Sequence, residues 1–159
     1  ALNPRRRVRE ILAEPFRIHG EGRAANVERL NEMLAEVGLD ASALERFPHE
    51  FSGGQRQRIN IARALALKPE FLVLDEPVSA LDVSVGAQVV NLLRDLQRNY
   101  GLTYLFISHS MPLVRYLCDR VAVMQRGRLV EMGECLQVCD APRDEYTRGL
   151  IAATPEMPA

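Results

Sequence analysis

Three groups of residues between positions 51 and 82, FSGGQRQRINIARALALKPEFLVLDEPVSALD, carry side chains suited to handling phosphate. Ser52 and Gln55 have the spacing of a capping box, in which each side chain satisfies a backbone N–H at a helix start. Gly53 and Gly54 lie between them and leave the first amides uncovered, and a helix N-terminus with bare amides attracts anions. Asp75 and Glu76 are adjacent carboxylates behind the apolar run Phe71, Leu72, Val73, Leu74. Successive strand side chains point to opposite faces, so the two carboxylates take different tasks. One can hold a hydrated Mg²⁺ while the other polarises a water for attack. Ser79, Ala80, Leu81 and Asp82 then form a turn into the next helix. His109 follows a second apolar run at 102–108, LTYLFIS, which places it at a strand's carboxyl end. In open parallel sheets that end faces the ligand crevice. Taken singly these signals are weak, because a Ser-Gly-Gly run is ordinarily a turn and an Asp-Glu pair a solvated helix start; their order carries the information.

The elements that must position these residues follow from periodicity. A helix runs from 53 to about 66, with Ile59, Ala62, Leu65 and Ala66 on its apolar side and Arg56, Arg58 and Arg63 elsewhere. The run at 71–74 reads as a strand buried on both faces. Val85, Val89, Leu92, Leu93 and Leu96 mark a helix reaching about residue 100, ended by Gly101. Upstream, Val8, Ile11, Leu12 and Phe16 have helical spacing, and Pro15 is expected to kink or end that helix. Arg5, Arg6, Arg7 and Arg9 at its start oppose the helix dipole, which leaves a partner surface or plain solvation as their reason. Residues 26–38 form an amphipathic helix with Val27, Leu30, Leu34 and Val37 in one stripe and Gly38 behind it. Leu44 and Phe47 anchor a polar connection over 40–50, and His49 has a surface or capping role. Downstream come a short helix at 112–118, strands at 120–125 and 128–132 around a tight turn, helix again from 133, a last helix at 144–153 and a Pro-rich tail.

Composition sets the frame. The 159 residues are 47% hydrophobic and 26% charged with net charge −1, ordinary for a globular core and no argument for a nucleic-acid partner. No apolar run approaches the roughly 20 residues of a membrane-spanning helix. Cys118, Cys135 and Cys139 give no disulfide framework and read as small buried or surface thiols. Of the 20 cationic residues only Lys68 is a lysine, and it stands between Leu67 and Pro69. A phosphate-binding P-loop requires Gly-Lys-Ser/Thr, so these residues contain none. No glutamine precedes Gln55, and the chain opens on Ala1. The expectation is a C-terminal piece of a longer protein.

The order of motifs resembles the ATP-binding-cassette (ABC) ATPases. Residues 51–55 look like their signature motif, with Phe51 where leucine is commoner. Residues 72–76 resemble the Walker B strand and catalytic glutamate, 79–82 the D-loop, and 107–109 the switch histidine. Ser110 and Met111 depart from the usual acidic-plus-leucine pair. Leu2-Asn3-Pro4-Arg5 with residues 8–12, and Tyr146-Thr147-Arg148-Gly149-Leu150, resemble segments of dipeptide, oligopeptide and nickel importers.

The resemblance implies an α/β fold: a partial RecA-like P-loop NTPase core with a parallel sheet plus an α-helical subdomain. Residues 1–65 would be that subdomain and 66–159 the C-terminal part of the core. It implies an ATPase of a peptide-type importer, with ATP and Mg²⁺ as cofactors and a second ABC ATPase subunit, transmembrane permease subunits and, indirectly, a solute-binding protein as partners. It would sit at the cytoplasmic face of the inner membrane, held there by the permease. Ser52, Gly53, Gly54 and Gln55 would bind the γ-phosphate of the partner's ATP, Asp75 would hold Mg²⁺, Glu76 would orient the attacking water, His109 would touch the γ-phosphate, and Asp82 would couple the two sites. Alone, the piece is expected to be inactive and oligomeric or poorly soluble. The alternatives are a soluble non-transport ABC ATPase and a permease-docking module without activity.

Overall fold

The computed structural model describes residues 2–153; the Pro-rich tail expected from the sequence lies outside them. The described chain forms two compact units, one of residues up to Leu72 together with Pro77–Leu105, the other of Val73–Glu76 with Phe106 onward.

The first unit is mainly helical. Helix α1 (Val8–Ile18) buries Val8, Ile11, Leu12 and Phe16, the stripe read from the sequence. It does not end at Pro15. An interior proline costs about 3 kcal/mol, but burying Phe16 beyond it returns about 1.5–3 kcal/mol. His19 then bonds the Pro15 carbonyl through both its N–H and Nδ1, at 3.1 and 3.0 Å, which secures the last turn. Helix α2 (Val27–Glu36) is capped by Asn26, whose side chain accepts from Arg29 N. Its buried face is Leu30, Met33 and Leu34, while Val27, expected in the stripe, is exposed. Gly38 follows at φ +70 as the expected terminator.

Helix α3 (Gly53–Leu65) buries Gly54, Ile59, Ile61, Ala62 and Leu65. Helix α4 (Val83–Tyr100) starts on Asp82, which accepts from Val85 N, and ends on Gly101 at φ +64. It buries Val89, Val90, Leu93 and Leu96. Strands β1 (Phe71–Asp75) and β2 (Thr103–Ile107) pair with each other. Thr103 N donates to Glu70 O and, further along, Glu76 N to Ile107 O, both at 2.9 Å, so the strands run in the same direction. Neither strand is buried on both faces. Leu72 and Leu74 are covered, while Phe71 and Val73 remain 53% and 57% exposed, as do Leu105 and Ile107 in part. The apolar run predicted two covered faces, and no described element lies over the second. Tyr104 on β2 donates its hydroxyl to Leu93 O of α4 at 2.9 Å, and burial pushes its pKa up to about 12.

In the second unit, helix α5 (Met111–Leu117) leads into strands β3 (Arg120–Gln125) and β4 (Arg128–Glu134). They pair antiparallel, Val121 with Gly133 and Gln125 with Arg128, with an irregularity after Val123. Arg126 and Gly127, at φ +47 and +78, make the two-residue turn whose twist suits a hairpin. Gly133, expected to open a helix, lies inside β4. Helix α6 (Cys135–Asp140) follows at once, and α7 (Glu145–Ala152) is capped by Asp144. The Glu131 carboxylate accepts from Arg143 N at 2.9 Å and Asp144 N at 3.1 Å; these bonds, Arg143 first, hold its pKa below the usual carboxylate value. The three cysteines are free thiols, and burial raises Cys118 and pushes Cys135 up to about 12.

Candidate functional site

The first unit builds the turn at 51–55. Ser52 Oγ accepts from Gln55 N at 3.3 Å, and Gln55 Oε1 accepts from Ser52 N at 3.0 Å, so the capping box read from the sequence is closed. That leaves the hydroxyl hydrogen of Ser52 and the amide NH₂ of Gln55 as the donor ends. The amides of Gly53 and Gly54 belong to the first turn of α3, where no intrahelical acceptor exists. Both glycines are crowded. A Cβ on Gly53 would stand 3.0 Å from Leu81 Cδ2, and one on Gly54 would stand 2.3 Å from Val85 Cγ1. The residues on either side of Asp82 therefore press against the helix start at Gly53.

The second unit holds the carboxylate and histidine. The alternation along β1 puts Asp75 on the exposed face with Phe71 and Val73. Glu76 lies outside the strand at φ +45, a left-handed conformation that non-glycine residues seldom adopt. Strand alternation was the expected reason for the two carboxylates to diverge; the strand ends at Asp75, so alternation does not reach Glu76. Glu76 Oε1 accepts from His109 N at 3.1 Å and lies 2.7 Å from His109 Nδ1. Nδ1 therefore carries the proton toward the carboxylate, and Nε2 stays uncommitted to it. The imidazole is 78% exposed and can meet a ligand.

Sequence reasoning gave Arg56 and Arg58 no partner and passed over Arg46, yet these arginines set the turns. Arg56 Nη1 donates to Phe51 O at 3.1 Å, on the peptide whose N–H belongs to Ser52. The Arg46 guanidinium lies 4.2 Å from the centroid of the buried Phe51 ring and bonds Glu50 O. Arg58 Nη1 donates to Val37 O at 2.8 Å and so finishes the end of α2. The N-terminal arginines have intramolecular partners: Arg6 pairs with Glu14, Arg7 and Arg9 with Glu45, and Arg7 covers Phe47. The legible hint was a single arginine, Arg46, beside Phe47 and five residues ahead of Phe51, just before the Ser-Gly-Gly turn.

The family model described as ABC transporter matches residues 1–79, which include the Ser52 turn and both carboxylates. The chain belongs to the ABC transporter family. Within that match fall Ser52–Gln55, Asp75 and Glu76; Asp82 and His109 lie beyond it. Among curated relatives, the oligopeptide transport ATP-binding protein OppF of Bacillus subtilis is 50% identical over 157 residues, covering 98% of this chain and 52% of that protein. OppF of Streptococcus mutans is 50% identical over 158 residues, covering 98% and 51%. The oligopeptide transport ATP-binding protein AppF of B. subtilis is 52% identical over 157 residues, covering 98% and 47%. The chain thus spans about half the length of the curated relatives it matches.

Proposed function

We propose that this chain carries the signature turn, Walker B strand and switch histidine of an ATP-hydrolysing subunit that powers peptide import. The observation that carries this is the Glu76–His109 contact, which brings an acid and an imidazole 33 positions apart to the ends of two parallel strands. The relatives act in oligopeptide transport by name, which supports peptides as cargo.

The residues fit a nucleotide. A phosphate would meet the first-turn amides of Gly53 and Gly54 and the hydroxyl of Ser52 at the positive end of α3. No group of three metal-binding side chains exists among the described residues. Mg²⁺ fits this, because it takes one or two carboxylates and completes its shell with phosphates and water. Asp75 would be its protein ligand, and the ion would neutralise charge on the phosphate oxygens. Glu76 orients the attacking water and takes its proton, held in place by the His109 amide and ring. His109 offers Nε2 to the transferring phosphoryl group. Ser52, Gly53, Gly54 and Gln55 act on the nucleotide of a second subunit, and Asp82 ties that subunit to this one. Residues 1–65, as the helical subdomain, bear on the permease, with a solute-binding protein beyond it. No described helix is long and apolar enough to cross a membrane, and in this reading attachment at the cytoplasmic face runs through the permease.

Calorimetry with Mg-ATP tests this reading on two proteins: this chain alone, and this chain joined behind the upstream half of B. subtilis OppF. Binding and turnover are expected only in the joined protein, because these residues contain no Gly-Lys-Ser/Thr. A joined, folded protein that binds ATP without hydrolysing it would instead favour a docking module.

A further inference from the structure

We infer that Val85 is a positioning residue: it fills the notch left by the missing side chain of Gly54 and so fastens the signature turn to the start of α4. This rests on the reading above and ties the phosphate-facing amides to Asp82 through Val85.

Gly54 sits in the first turn of α3 with no left-handed backbone, so its conformation suits any residue. Alanine would even be favoured there on helix propensity. What excludes a side chain is space. The 2.3 Å approach is to Val85 Cγ1, whereas Val85 Cβ stands at 3.8 Å, an ordinary contact. Valine in a helix has essentially one χ1 rotamer, so Cγ1 cannot swing aside. Its backbone is fixed as well, because Val85 N donates to Asp82 Oδ1 at 2.9 Å. Gly53 meets Leu81, the residue before Asp82, in the same way at 3.0 Å. Gly20, Gly101, Gly127 and Gly149 have open space at the same position, and Gly38 and Gly133 meet side chains no closer than 3.0 and 3.1 Å, so among the described glycines the 2.3 Å approach is peculiar to Gly54.

Two explanations for the glycine now compete. One reserves the space for a phosphate, the other for Val85, and they differ on one double variant. Gly54→Ala/Val85→Ala removes Cγ1 and leaves the new methyl group at an ordinary distance. A cycle of wild type, Gly54→Ala, Val85→Ala and the double variant would be melted in this chain and assayed for ATP turnover in the joined protein. Gly54→Ala should lower kcat at least tenfold with little change in KM, since the turn acts on the transferring group and not on nucleotide capture. Val85→Ala should lower kcat about threefold. The double variant should return to within about threefold of wild type and melt higher than Gly54→Ala alone. A double variant that melts like wild type yet stays as slow as Gly54→Ala would overturn the inference and give the space to the ligand. If wild type shows no turnover, the proposed function falls. The melting cycle still decides the packing: non-additive midpoints support the lock and additive ones refute it.

Discussion

The turn at Ser52 and the pair at Glu76–His109 are built in opposite ways. Around Ser52, neighbouring polar groups are spoken for by short-range partners: Gln55 holds the serine, Arg56 the carbonyl before it, Arg46 the aromatic ring before that. Glu76 and His109 are supplied by two strands far apart in sequence and meet on exposed ground, through one carboxylate oxygen and a left-handed backbone step. The first arrangement is closed by these local bonds without any ligand. The second depends on strand pairing and leaves its imidazole open. Preorganised amides suit a site that stabilises charge, while an exposed acid–imidazole pair suits one that must admit and release water and product.

The sharpest way to break this contrast is Glu76→Gln in the joined protein. ATP binding should persist while phosphate release falls by about 10²–10⁴-fold, the usual worth of a positioned base. A variant that keeps its turnover would remove Glu76 from the chemistry. Ser52→Ala attacks the other side. Loss of the cap should cost about 1 kcal/mol and lower Tm by about 2–4 °C, with circular dichroism as the check. An unchanged Tm would mean that Arg56 and Arg46 hold the turn without the serine.

Tyr104→Phe loosens the strand that leads to His109. Losing its bond to Leu93 O should cost about 1 kcal/mol at neutral pH. The raised phenol pKa also makes a pH prediction. The neutral phenol is the form the fold favours, so its contribution is complete below the unfolded value of 10.0 and is lost as pH rises toward about 12. Urea midpoints between pH 9 and about 12 should therefore fall less steeply for Tyr104→Phe than for wild type. The smallest effect is expected at Glu131, which belongs to neither site. Its lowered pKa means a contribution present above the ordinary value of 4.5 and lost as pH drops through the folded one. Glu131→Gln should flatten the acid limb of the stability profile slightly and leave ATP turnover untouched.

Much of the signature turn was legible because its logic is local. Ser52 and Gln55 are three positions apart, and a capping box needs nothing else. Helix ends at Gly38 and Gly101 were legible for the same reason, since each needs one left-handed residue. What the sequence hid lies across elements. Nothing in the spacing of Gly54 and Val85 says that they touch. Four apolar residues in a row could not reveal that Phe71 and Val73 would be exposed, because burial depends on which elements lie over the sheet. Pro15 misled in the other direction: its local penalty was real, but burial of Phe16 beyond it and the His19 bonds to its carbonyl offset the break. The alternation argument for Asp75 and Glu76 assumed a strand running through both, whereas the strand ends at Asp75 and Glu76 takes a left-handed backbone.

The left-handed backbone at Glu76 has a consequence for how the position can change over time. Holding a glutamate there costs about 1–3 kcal/mol that a glycine would avoid. The two contacts it makes to His109 return about 0.5–1.5 kcal/mol each at best, and less on an exposed surface. A glycine there would gain that backbone term and lose the side-chain contacts, so a mutagenesis screen scored only on melting should tolerate Glu76→Gly far better than one scored on turnover. Only a screen that also demands ATP turnover should keep the carboxylate.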